Sequence, residues 1–122
     1  MLEVGDTVFG VFPCIQGHVI RHYSVVVEAS PQALVLVYTT SQVDGSKPVA
    51  NEFTVEERRL AGFKKRCFFS PGEAGIVSPE NVRKVGALPR AAMERVVSAY
   101  LRNKKSRTLK VAAFVNGEIV TA

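Results

Sequence analysis

No apolar run in the sequence approaches the ~20 residues that a bilayer-spanning helix requires, so no membrane segment is expected. The opening stretch "MLEVGDTVFG" has neither a charged n-region nor an apolar h-region, so no secretory leader is expected. Cysteine is scarce. Cys14 and Cys67 lie far apart and make no CxxC pair, which predicts plain thiols in a reducing, cytoplasmic setting. Histidine is equally scarce: His18 and His22 stand four apart, on one face if both lie in a strand, and lack a third ligand for zinc. A glycine-rich phosphate loop, a nucleophile elbow and the paired zinc-deaminase motifs are all missing. Neither a metal nor an organic cofactor is therefore expected. No internal repeat or low-complexity segment is visible either.

What remains is a chain of one-domain size, 122 residues of which 47% are apolar, able to bury a core without staples. The formal net charge of +5 is unevenly spread. "RNKKSRTLK" at 102–110 holds five Lys or Arg and no acid, and the other 11 basic residues match the 11 acidic ones. A second concentration, "FKKRCFF" at 63–69, joins Lys64, Lys65 and Arg66 to three phenylalanines. Such patches attract polyanions, and bases stack on exposed aromatics. The same runs also describe a solvated helix end and an amphipathic strand.

The first two-thirds reads as β-structure, short apolar runs punctuated by Gly, Pro and polar clusters. Strands are expected over 6–12, with a bulge at Gly10, over 17–30, as one long strand or a bent pair, and over 33–40. In the second, Tyr23, Val25 and Val27 share one face, and His22, Ser24, Val26 and Glu28 the other. A tight turn at Ser30-Pro31-Gln32 makes the second and third strands antiparallel partners. The third is apolar on both sides and should lie centrally, covered on both faces. A loop turning at Asp44-Gly45 follows. Thr54-Val-Glu-Glu57 reads as a capping box opening a helix over 55–61 that Gly62 stops. Further strands are expected over 63–69 and 75–77, and a helical turn at Ser78-Pro79-Glu80. From Pro89 to about Lys104 the period changes: Met93, Val96, Val97, Tyr100 and Leu101 form a helical apolar stripe facing the sheet. Asn116-Gly117 then turns a hairpin. The fold class is mainly β: a small, strongly curved antiparallel sheet or barrel with a C-terminal helix and an extra C-terminal hairpin.

Antiparallel pairing brings the start of "HVIRHYSVVVE" and the end of "LVLVYTTSQ" to one end of the sheet. Arg21 and His22 should lie near Thr39, Thr40, Ser41 and Gln42. A permanent cation, a side chain suited to acid–base work and several hydroxyls would then meet at one rim, as binding a phosphodiester requires. Ordinary strand-end capping, with hydroxyls bonding turn amides and Arg21 solvated, uses the same residues.

The ordered set Gly5-Asp6-Thr7-Val8, Arg21-His22 leading into the valines 25–27, and Tyr38-Thr39-Thr40-Ser41-Gln42 resembles the PemK/MazF family of toxin endoribonucleases. The stretch "RLAGFKKRCFF" matches that family in spacing, and 78–84 sits where the family has a short helix. The resemblance covers about Gly5 to Lys104. It implies an SH3-like barrel of the CcdB/MazF type over 1–104, with 105–122 as a basic linker and hairpin extension. It also implies a cytoplasmic homodimer that cleaves single-stranded RNA without a metal and is occluded by a small acidic antitoxin. The family's catalytic arginine and threonine carry over to Arg21 and Thr40. His22 stands where the family usually has proline, and is a third catalytic candidate, as general base or acid. Thr39, Ser41, Gln42, Lys64, Lys65 and Arg66 are the expected RNA contacts. The alternative is an inactive barrel of the same kind serving as an RNA-binding or protein-interaction module, with the hairpin completing an edge of a partner subunit.

Overall fold

Alternation along the valine-rich strands decides which residues meet on each side of the sheet. In the computed structural model, which describes residues 1–42 and 48–122, Val25, Val27 and Val37 point to one face and pack with Phe53, Phe63, Phe69 and Ala74. Val26, Leu34, Leu36 and Tyr38 point to the other and pack with Val8, Phe12 and Val77. The strands are β1 (Asp6–Pro13), β2 (Val19–Ala29), β3 (Leu34–Thr40), β4 (Phe68–Val77), β5 (Val82–Ala87), β6 (Lys110–Val115) and β7 (Glu118–Thr121). They form one mixed sheet in the order β5-β1-β2-β3-β4-β6-β7. Helix α1 (Val55–Ala61) precedes β4 and helix α2 (Arg90–Lys105) joins β5 to β6. The fold is mainly β, and β3 is covered on both faces as its sequence predicts. The expected turn at Asp44-Gly45 lies outside the described residues. Among these, no helix is long and apolar enough to cross a membrane.

The sheet is mixed rather than wholly antiparallel because β6 runs parallel to β4. A parallel neighbour needs a long crossover, which α2 supplies. That helix lays Ala92, Val96, Ala99 and Tyr100 on the sheet. The two alanines seat it closely, and Leu101, expected in the stripe, turns outward at 49% exposure. The C-terminal hairpin turns at Asn116 (φ 52°) and Gly117 (φ 81°), the positive angles a two-residue hairpin demands. Through β6 it joins the same sheet, and Ala112 is fully buried there.

Five other expectations change. Residues 63–67 are not a strand: Lys64, Lys65 and Arg66 are exposed in succession, whereas a strand would alternate. Strand β4 starts at Phe68 and runs on through the 75–77 segment expected to stand alone. Only Pro79–Asn81 of the stretch 78–84, likened to a short helix, is helical; from Val82 the chain is edge strand β5, whose adjacent Arg83 and Lys84 blur its alternation. Gly10 marks no bulge; the irregularity falls between Thr7 and Val8 against β5. A Cβ at Gly10 would stand 2.6 Å from the Asn81 carbonyl oxygen, so a close approach of backbone requires glycine there. His18 lies in the β1–β2 turn, where its carbonyl accepts from the Cys14 N–H at 2.8 Å, and shares no strand face with His22.

The capping box forms as predicted: the Glu57 N–H donates to Thr54 Oγ1 (3.1 Å) and the Thr54 N–H to the Glu57 carboxylate (2.9 Å). Gly62, at φ 74°, ends α1 in the left-handed region. Glu57 does more than cap. Arg95 of α2 donates to both of its oxygens at 2.9 and 3.0 Å, fastening the two helices together.

Two predictions follow from these contacts. A Cβ at Gly75 would overlap the Tyr38 ring and hydroxyl, which donates to the Pro13 carbonyl. Gly75→Ala should therefore cost about 1–3 kcal/mol, read from the urea midpoint, as overpacking does; an unchanged midpoint would show that β4 yields freely. Hydrogen bonds from Arg95, and secondarily from Thr54, hold the Glu57 carboxyl below its ordinary value of 4.5 against the opposing effect of burial. Because the folded value is lowered, this contribution is complete above about pH 4.5 and fades as pH falls through the folded value. Glu57→Gln should be less stable than wild type at pH 6, with the difference in thermal midpoint shrinking by pH 3. A constant difference across that range would refute the linkage.

Candidate functional site

Strands β2 and β3 pair from Ala29–Leu34 to Ser24–Tyr38, and there their ladder stops. Beyond it residues 19–23 pair with β1, while Thr39 and Thr40 pair with Phe69 and Phe68 of β4. A wedge opens between the two halves. Thr39, 5% exposed, bridges its apex: its hydroxyl donates to the Tyr23 carbonyl at 2.9 Å. The neighbouring β3–β4 ladder is also interrupted, with Ser70, Pro71, Gly72 and Glu73 all opposite Tyr38 alone. Pro71 has no N–H to give a ladder, which suits it to this bulge. Two cavities flank Thr39 as a result.

The first, about 240 Å³, is lined by Phe9, Arg21, His22, Tyr23, Thr39, Ser41, Phe63, Lys64, Lys65 and Cys67. Its aromatic wall is continuous with the core. Ring centroids step from Phe9 to Tyr23 (4.9 Å), Tyr23 to Phe63 (5.5 Å), Phe63 to Phe53 (5.4 Å) and Phe53 to Phe69 (5.6 Å). A wall so anchored holds its shape without a ligand. Arg21, Lys64 and Lys65 are exposed around it, and among the described residues no carboxylate lines it. Among the described residues, none of the three cations has an ion-pair partner, while Arg59, Arg66 and Arg95 each hold a glutamate.

The His22 ring folds back on its own strand. Its Nδ1 accepts from the Tyr23 N–H at 2.8 Å and lies 3.3 Å from Thr39 Oγ1. An Nδ1 engaged as acceptor places the proton of the neutral ring on Nε2. The same Nδ1 is 3.3 Å from the Tyr23 carbonyl, which would accept Nδ1–H from an imidazolium only once the Tyr23 N–H contact is given up. Nε2 is the nitrogen left to act. Cys67 does not compete for chemistry: burial pushes its thiol up to about 11, only partly offset by Arg58.

Six predicted residues therefore meet in this cavity: Arg21, His22, Thr39, Ser41, Lys64 and Lys65. Thr40 and Gln42 do not; they line the second cavity, where the Thr40 hydroxyl accepts from the Gln42 N–H at 3.2 Å. That bond is strand-end capping of the kind the sequence also describes. Arg66 is bound to Glu52, with its guanidinium 5.7 Å from the Phe68 ring centroid, and lines neither cavity. Sequence reasoning missed Phe9 and Arg83. Arg83 lies over the Phe9 ring at 5.3 Å and shares a shallow depression with Arg21, Asn81 and Glu80. Its signal was the basic pair Arg83-Lys84 at the end of the stretch likened to a short helix. Among the described residues, no three His, Cys, Asp or Glu side chains converge as metal ligands would.

A thiol titrating near 11 is about one-thousandth ionised at pH 8, against about a quarter for a free cysteine. Iodoacetamide at pH 8, followed by peptide mapping, should modify Cys67 at least a hundredfold more slowly in the native protein than in urea. Equal rates would mean that the cavity wall opens readily. Comparison with known proteins finds no family model that matches the chain and no matching curated protein.

Proposed function

We propose that the chain is an endoribonuclease of the PemK/MazF toxin kind, cutting single-stranded RNA without a metal ion. The observation that carries this reading is the first cavity: three cations without carboxylate partners among the described residues, around an aromatic wall, with an imidazole and a buried threonine at its apex. Cations attract the phosphates, and the partly exposed rings of Phe9 and Tyr23 would stack unpaired bases, which a duplex would withhold. In this reading the curled sheet is an SH3-like barrel of the CcdB/MazF type, and the protein is a cytoplasmic homodimer. A small acidic antitoxin would cover the same cations.

The chemistry needs no group beyond the chain and the RNA. The 2′-hydroxyl attacks its own phosphate and loses its proton to water. The bond to the 5′-oxygen breaks, leaving a 2′,3′-cyclic phosphate and a 5′-hydroxyl. Arg21 stabilises the charge gathering on the phosphate oxygens, since a guanidinium keeps its proton. Protonated His22, its Nδ1–H turned onto the Tyr23 carbonyl in exchange for the Tyr23 N–H contact, gives the Nε2 proton to the departing 5′-oxygen. Lys64 and Lys65 hold flanking phosphates. Thr40, capped in the neighbouring cavity, contacts the strand beyond the scissile bond rather than the reacting phosphate.

A second reading, an RNA-binding module without catalysis, is favoured by that separation of Thr40 from Arg21. A gel assay on mixed-sequence RNA in excess EDTA separates the two, since the nuclease cleaves and the binder only retards. For the nuclease, Arg21→Ala should lower the rate about 10²–10³-fold, as losing a preorganised oxyanion donor does. His22→Gln should lower the cleavage rate while leaving RNA affinity close to wild type. Full activity in Arg21→Ala or in His22→Gln would sink the assigned roles.

A further inference from the structure

The second cavity, about 520 Å³, differs in chemistry from the first although the two share Thr39. Its polar lining includes Gln16, Thr40, Gln42, Asn51, Ser70 and Glu73, with no lysine or arginine among the described residues. Those residues offer a phosphate a carboxylate and no cation. A neutral, flat group carrying its own donors and acceptors would find partners for each.

We infer that this cavity is the base-reading subsite of the proposed nuclease and that Glu73 selects guanine. The inference rests on the RNA reading above and extends it to sequence preference. The bulge is what makes the subsite. Four residues of β4 opposite Tyr38 widen the ladder and leave Glu73 on its wall. Among the described residues Glu73 has no ion-pair partner, in contrast to the glutamates at 28, 52, 56, 57 and 94. A carboxylate only accepts. Its two oxygens match two donors side by side, which guanine offers at N1–H and N2–H on its Watson–Crick edge. Adenine and cytosine each offer a single amino group there, and uracil a single imino group. Guanine's O6 needs a donor, which the Asn51 and Gln42 amides carry. Single-stranded RNA exposes that edge to be read in this way. The sharing of Thr39 places the read base on a nucleotide adjoining the phosphate held by Arg21 and His22.

The test uses the full chain and short fluorescent RNAs made uncleavable by 2′-O-methylation, read by anisotropy at fixed salt. One position is varied through guanine, inosine, adenine and uracil; inosine keeps N1–H and lacks the N2 amino group. Wild type should bind the guanine oligonucleotide roughly ten- to a hundredfold more tightly than the adenine one, the discrimination expected of a good bidentate pair. Inosine should fall between them. Glu73→Gln should bring the guanine-to-adenine ratio close to one, and a circular-dichroism spectrum and urea midpoint matching wild type show that the variant is folded. A guanine preference that survives in Glu73→Gln overturns the inference, as does a wild type indifferent to base. A parallel cleavage assay on unmodified RNA keeps the two proposals apart. Cleavage without a Glu73-dependent preference overturns the subsite alone. A Glu73-dependent preference without cleavage supports the subsite and overturns the nuclease. Failure to bind any RNA overturns both.

Discussion

The end of the β2–β3 ladder at Ser24–Tyr38 is the constraint on which the rest of the molecule turns. Had the two strands stayed paired to their ends, Tyr23 would face Thr39 across ordinary ladder bonds and neither cavity would open. Instead β2 follows β1 and β3 follows β4. The cost of breaking a ladder inside a sheet is unpaired backbone, and the Thr39 hydroxyl removes part of it by donating to the Tyr23 carbonyl. The His22 ring removes more, accepting from the Tyr23 N–H. The groups that satisfy the broken ladder are thus the ones that line the cavity. Structure and proposed chemistry draw on the same few atoms.

Around that opening the rigid parts are arranged to keep it open. The aromatic series from Phe9 to Phe69 ties the cavity wall to the core beneath α2, and Glu57 ties α1 to α2 through Arg95. Lys64 and Lys65 leave α1 just after its Gly62 cap, so a fixed helix end aims a short irregular segment at the cavity. Charge is partitioned in the same economical way. Most carboxylates of the described chain are occupied by basic partners, which leaves the cavity cations available to an incoming anion.

Much of this was legible in the chain. The capping box, the left-handed Gly62 and the Asn116-Gly117 turn are local, their geometry set by residues three or four apart, and all three form where the sequence places them. The doubly apolar β3 is central because burial on both faces is written in its composition. The convergence of Arg21 and His22 on the end of β3 also follows from sequence, since a tight turn forces antiparallel pairing. What was misread depends on contacts distant along the chain. Strand β5 is held by β1, some seventy residues earlier, and its own pattern is too weak to announce it. The segment after Gly62 has strand-like composition, but three successive exposed cations satisfy no pleat.

By itself, then, the sequence determined the local devices, the central strand and the meeting of a cation, an imidazole and hydroxyls at one sheet end. These depend on short-range sterics, hydrogen bonding and the two-residue period of a strand. Only the tertiary structure decided which hydroxyl faces which cavity. Thr39 and Thr40 are adjacent in the chain, and a one-residue difference in a strand reverses the side on which a group lies. The interruption of two ladders around Tyr38 then set Thr39 at the apex and Thr40 beyond it. No local pattern encodes that interruption, because it arises from how three strands share one curved surface.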